Sequence, residues 1–326
     1  MAVTGAASAR LAAAAGTTRR IGDPEGSPGV GRSELALQAR TFWTATKIGW
    51  RMEANWTDPL LFFIYSVAKP VSAALILVVM LSIVAGPTAN AQLRPFVVVG
   101  TALWSLVTSG ISGLAWSILD DRERYRMLKY IYVSPSEFVI VLLGRGVARL
   151  GVGAAGSIVT ILVGIALLGV PFDATAIDWP VLVLAMLFGL ASVVALALLL
   201  AAVCLQTRQE SWSYPEAFAG AAFLVSGAVF PLSVLPTPVQ AIGLVTPLGW
   251  WIEAARRAFL PGAPSGLGGA GSLLASLNGG ALPSNLECLL ALIVTGALAT
   301  LAAAVVFRRS VRRAQDRGLL DLTTGS

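Results

Sequence analysis

Residues 95–135 read PFVVVGTALWSLVTSGISGLAWSILDDRERYRMLKYIYVSP, an apolar run that stops at Asp120-Asp121 and gives way to a charged, tyrosine-rich segment. Roughly twenty apolar residues wound as a helix, at about 1.5 Å each, cross the ~30 Å hydrocarbon core of a bilayer. The run over 95–119 is long enough. Working outward from it, comparable runs fall at about 60–85, 138–170, 179–205, 214–230 and 286–306. The whole chain is 56% hydrophobic and only 12% charged, against about 25% charged in soluble domains. That balance leaves too little polar surface for a water-soluble body. The expected fold is an all-α integral membrane protein with six transmembrane helices.

Charge placement orients the expected helices. Six crossings put both termini on one side, and 19 of the 23 lysines and arginines fall there. By the positive-inside rule that side is the cytoplasm, so a multi-pass protein of the cell inner (plasma) membrane with both termini cytoplasmic is expected. Residues 1–34, rich in Ala, Gly, Ser and Thr, read as a disordered cytoplasmic tail. Residues 35–57 interleave Leu37, Phe42, Trp43, Ile48, Trp50 and Met52 with Arg40, Lys47, Arg51 and Glu53. This pattern suits an amphipathic helix in the membrane interface. Residues 58–306 form the six-span domain, and 307–326 a basic cytoplasmic tail. The net charge of +6 then reflects anionic lipid and orientation rather than nucleic acid.

Several chemistries are excluded. The chain has no histidine, which removes the commonest general base and metal ligand. Cys204 and Cys288 lie in apolar runs and read as packing residues. None of the lysines, Lys47, Lys69 and Lys129, follows a glycine, so there is no nucleotide-binding P-loop. The Gly151-x-Gly153-x-x-Gly156 pattern lies inside a span, where glycines allow close helix packing rather than cradle a dinucleotide.

Within 120–135, Tyr125, Met127, Leu128, Ile131 and Tyr132 recur at helical spacing and would lie against the bundle or lipid. Arg122, Glu123, Arg126, Lys129 and Tyr130 would face water. This suits a docking helix for a cytoplasmic partner, or a plain interfacial helix. Lys69, before Pro70, falls about 14 Å into the first span, a depth that favours the bundle interior, a subunit interface or a wet cavity. Residues 231–284 are apolar but broken by prolines, which suits two short helices dipping back from the outer surface. There Trp250 and Trp251 suit an interfacial belt, and Glu253 and Arg257 can pair at i,i+4.

These segments resemble the permease subunits of type-2 ABC exporters, the drug-resistance and polysaccharide or lipid exporter group. The likeness covers roughly residues 35–315. It rests on Ser134-Pro135 followed by Gly144-Arg145, on the Gly-x-x-Phe-Pro-x-x-x-x-Pro pattern from Gly227 through Phe230 and Pro231 to Pro236, and on Pro247, Leu248 and Arg256. Many members carry Gly-Thr where this chain has Arg126-Met127, so the likeness stops short of naming a substrate. It implies an interfacial helix, a cytoplasmic coupling helix and outer re-entrant helices before the last span. It implies ATPase contacts at Asp120, Arg122, Glu123, Arg126, Lys129, Tyr130, Ser134 and Pro135. A substrate path or outer gate would involve Lys69, Phe230, Pro231, Trp250, Trp251, Glu253, Arg256 and Arg257. The implied partners are ATP-binding cassette ATPase subunits, which would hold ATP and Mg, and a second permease copy, identical or different. No cofactor is expected in this chain. The implied activity is export of a drug, lipid or lipid-linked saccharide; a membrane-embedded enzyme acting on lipid is the alternative.

Overall fold

In the computed structural model the described residues are 30–55, 59–134, 137–207, 213–269 and 271–316, and their regular structure is helical, with no strand. In order they are α1 (Val30–Asn55), α2 (Pro59–Leu119), a π-turn (Asp120–Arg124), α3 (Leu128–Val133), α4 (Phe138–Leu168), α5 (Trp179–Gln206), α6 (Ser213–Val225), a 3-10 turn (Leu232–Val234), α7 (Thr237–Val245), α8 (Pro247–Phe259), α9 (Leu273–Leu277) and α10 (Asn285–Asp316). The chain divides at Ala39 into two units; of the first, Met1–Ala39, the described part is the opening of α1. The second unit, Arg40–Ser326, holds the rest of α1 and every later helix.

Among the described residues four helices are long and apolar enough to cross a membrane: Leu93–Arg124, Phe138–Leu168, Trp179–Gln206 and Asn285–Ala314. Their ends obey local rules. Asp178 caps α5 by accepting from the Val181 amide at 3.3 Å, with a proline in the first turn. Gly169 ends α4 in the left-handed conformation, φ 65°, which glycine adopts without steric cost.

Small residues set the packing of α4 on α2. A Cβ on Gly164 would sit 2.4 Å from Val98, one on Gly153 2.6 Å from Ser109, and one on Gly146 2.8 Å from Leu114. The pairing descends along one helix as it climbs the other, so the two run antiparallel. Gly153 therefore serves close packing. Contacts of Gly110 with Val193 and of Arg122 with Cys204 place α5 parallel to α2. Gly296 meets Ser192, and Ser310 meets Gln206, so α10 runs parallel to α5. The chain must therefore reverse direction between them. It does so along α2: Ser112 donates to the Pro215 carbonyl, the Trp104 and Phe223 rings pack tilted with centroids 4.8 Å apart, and Gly100 meets Ala228.

The helix boundaries differ from the sequence expectation in three places. Separate runs at 60–85 and 95–119 were expected, yet helical backbone continues from Pro59 to Leu119. Ala85, Ala89, Ala91 and Gln92 favour helix and carry it past Pro87 and Pro95. A straight helix of 61 residues would run about 90 Å, three times the hydrocarbon thickness, so it is not one crossing. The expected run at 214–230 is a helix of 13 residues, about 20 Å, followed by a turn. Finally, the basic tail is not separate from the last helix: α10 continues to Asp316. Ala303, Phe307, Ser310 and Ala314 extend its buried stripe. Ser310 donates to the Ala202 carbonyl at 2.6 Å and accepts from Gln206 at 2.9 Å.

Candidate functional site

Two polar clusters occupy opposite ends of the bundle. The first lies where α2 passes into the charged segment 120–134. Asp121 and Arg145, both buried, form an ion pair. Arg149 bridges Glu53 at 2.7 Å and Asp120 at 3.3 Å. Arginines four apart on apolar α4 need counter-charges, and Asp120-Asp121 and α1 supply them. Burial pushes the Glu53 carboxyl above its ordinary value; Arg149 opposes that shift and Asp120 adds to it. A cleft of about 300 Å³ opens among Glu53, Asp120, Arg124 and Tyr125.

The segment 120–134 is not one amphipathic helix. The π-turn ends at Arg124, Arg126 takes φ 51°, and helix restarts at Leu128. That break resets the helical phase. Arg122, expected on the water face, is instead buried at 6% exposure. It donates to the Cys204 and Thr207 carbonyls, both at 3.0 Å, and pairs with Glu123 at 2.9 Å. A cation there neutralises the orphan carbonyls at the end of α5. Met127, expected to face the bundle, is exposed, as are Arg126, Tyr130 and Val133, whereas Leu128 is buried as expected. Ser134 donates to the Ile131 carbonyl at 2.6 Å. Pro135 and the side chains of Lys69 and Lys129 lie outside the described residues.

Arg126 stands where many of the resembled exporters carry glycine, in a conformation, φ 51°, that costs an L-residue about 1–2 kcal/mol. Arg126→Gly is therefore expected to stabilise the chain by about 0.5–1 kcal/mol after glycine's own entropy cost. A melting temperature in detergent above that of wild type, with no gain for Arg126→Ala, is the expected reading.

The second cluster joins α8 to the proline-punctuated segment. Glu253, 1% exposed, accepts from the Gly266 amide at 2.7 Å and from Ser265 at 2.6 Å. It also pairs with Arg257 at 2.6 Å, at the spacing expected from sequence. Arg256 is fully buried and donates to the Gly227 and Ala228 carbonyls, both at 2.9 Å. Its guanidinium lies 3.7 Å over the Phe96 ring. A Cβ on Gly100 would come within 1.8 Å of the Ala228 carbonyl oxygen, so backbone meets backbone here. Phe230 and Pro231, half-buried, follow this turn. A cavity of about 450 Å³ adjoins the cluster, lined by Asp178, Arg257, Ser265 and Asn285 among others.

Trp250 and Trp251 do not form an interfacial belt. Trp250 is 8% exposed and donates to the Leu244 carbonyl at 2.8 Å; Trp251 is fully buried. The space for Trp251 comes from Gly189 on α5, where a Cβ would lie 2.0 Å from the indole. Sequence reasoning also missed Ser265 and Phe96, partners supplied by distant chain. The sequence profile described as ABC-2 type transporter matches residues 40–260. Comparison with curated proteins gives no match.

Proposed function

Since the chain belongs to the ABC-2 type transporter family and is a multi-pass membrane protein, we propose that it is the permease of an ATP-driven exporter, moving an amphiphilic substrate (a drug, lipid or lipid-linked saccharide) out of the cytoplasm. The observation that carries this reading is the coupling segment. Its base is tied into the bundle through Asp121–Arg145 and Arg122, while Met127, Tyr130 and Val133 project from it. A projecting apolar tip on a rigid base suits insertion into a groove of a partner ATPase, which would hold ATP and Mg. The contact is then made by the tip, with Arg126 beside it, rather than by Arg122.

On this reading there are six crossings, both termini are cytoplasmic and the membrane is the inner (plasma) membrane. The parallel course of α5 and α10 requires a return between them, and α6 with the turn after it follows α2 over about 18 Å. A second permease copy completes the path. The alternative, an enzyme acting on lipid, would draw on Glu253. That carboxylate is already engaged by Arg257, Ser265 and the Gly266 amide, which speaks against it as a free acid or base.

Affinity purification of the full chain from its native membrane is expected to recover an ATPase bearing a nucleotide-binding loop. Tyr130→Ala with Val133→Asp should reduce that recovery about tenfold or more, as loss of an interface anchor does. Correctly inserted wild-type chain that recovers no ATPase would overturn the proposal.

A further inference from the structure

The face of α1 that meets the bundle is fixed by close contact. Ala45 and Gly49 are buried, and a Cβ on Gly49 would stand 3.1 Å from Ala148. A Cβ on Gly144 of α4 would reach within 2.6 Å of the Phe42 carbonyl. Glu53 is committed to Arg149 at 2.7 Å. Over residues 40–55 it is also the sole acid in the sequence, so no carboxylate there remains for the other face.

That other face carries Arg40, Trp43, Lys47, Trp50 and Arg51, all exposed. Their spacings of three and four place them along one stripe, about 16 Å from first to last. Trp43 is 59% exposed and Trp50 45%, one edge of the Trp50 ring bordering Gly151 of α4, where a Cβ would stand 3.2 Å from it. Indoles exposed to this extent would be unfavourable in water; at headgroup depth an indole buries its ring and keeps its N–H wet. Lysine and arginine stems lie along apolar surface while their heads reach the phosphate layer. The exposed arginines of α10, Arg308, Arg309, Arg312 and Arg313, have no tryptophan between them. They offer charge without an apolar seat.

We propose that this stripe is a binding surface selective for anionic phospholipid, with Trp43 and Trp50 seated among the acyl chains and Arg40, Lys47 and Arg51 on the headgroups. The proposal rests on the membrane assignment and not on export or an ATPase. Charge complementarity selects the occupant: three cations without an ion pair among the described residues, beside two exposed indoles. A polybasic segment without aromatics would be drawn to the surface but would not hold an individual lipid. The opposite face of α1 reaches Arg149 and through it Asp120, so lipid held here lies one helix away from the coupling segment.

The test is native mass spectrometry of the full chain in detergent, with phosphatidylglycerol and phosphatidylcholine supplied in equal amounts. Wild type should retain phosphatidylglycerol at least about tenfold over phosphatidylcholine, since each cation near an anionic surface strengthens attraction about fivefold. Arg40→Gln with Lys47→Gln and Arg51→Gln should bring the ratio close to parity without changing the melting temperature, because all three side chains are exposed. Trp43→Ala with Trp50→Ala should reduce retention of both lipids. Removing three arginines from α10 (Arg308→Gln, Arg309→Gln, Arg312→Gln) should leave the preference in place. Equal retention by wild type would overturn the proposal. So would equal loss in the α1 and α10 variants, which would mean bulk charge alone. A preference that survives the α1 variant while a co-purifying protein is lost would assign the stripe to a protein partner instead.

Discussion

Arg256→Ala is expected to lower the melting temperature of the detergent-solubilised chain by about 10 °C, corresponding to a loss of about 3–5 kcal/mol. The guanidinium ties several groups together. It is fully buried, its Nη2 bonds the Gly227 and Ala228 carbonyls, and its face covers the Phe96 ring. Without it, two carbonyls lose their donor in a place water does not reach, and Phe96 gains a void. Arg256→Lys keeps the charge but not the planar fork, so an intermediate loss is expected. Phe96→Leu should cost less than Arg256→Ala, and its effect should be mostly absent in the Arg256→Ala background, because the two side chains are in direct contact. Scanning fluorimetry of wild type, the single variants and the double variant reads these differences. An Arg256→Ala variant that melts with wild type would remove the clamp.

The second large effect is expected at Asp121. Its removal takes away the ion-pair partner of buried Arg145, leaving the Ser117 carbonyl at 3.5 Å and the more distant charge of Glu53. Breaking such a pair from one side costs about 3–5 kcal/mol, whereas replacing both partners with apolar groups can be close to neutral. Asp121→Ala should therefore melt about 10 °C lower, and Asp121→Ala with Arg145→Leu should recover most of the loss. The double variant falling as far as the sum of the singles would mean that the two residues act independently.

The sequence disclosed what depends on periodicity and local chemistry. Apolar runs gave α4, α5 and α10, and the interleaved tryptophans and cations of 35–57 gave α1. The prolines breaking residues 231–284 pointed to short helices, which the structure begins at Thr237 and Pro247, and Glu253 with Arg257 was readable as an i,i+4 pair. What depends on a distant partner was hidden. Trp251 reads as an interfacial tryptophan until Gly189 is seen to vacate its volume. Arg122 reads as a water-facing cation because a helical wheel assumes unbroken helix, and the positive φ of Arg126 shifts the wheel. The ion pairs of α4 were signalled in part: Arg145 and Arg149 within an apolar run demand carboxylates, and Asp120-Asp121 is the nearest acidic pair. The end of α10 was obscured because four arginines read as tail, although Ser310 between them faces the bundle.

The stretch Leu93–Arg124 is continuous helix, about 48 Å long. It is held near one end by Arg256 and Ala228, and near the other by Arg145 and Arg149. Treated as a stiff rod pivoting at its middle, it would swing each tip about 2 Å for a tilt of about 5°. The seat of Gly100 on the Ala228 oxygen has no slack on that scale. Motion imposed at Asp120 would therefore have to carry the Gly227–Pro231 turn with it or tear it from its seat, with no play in the linkage between them.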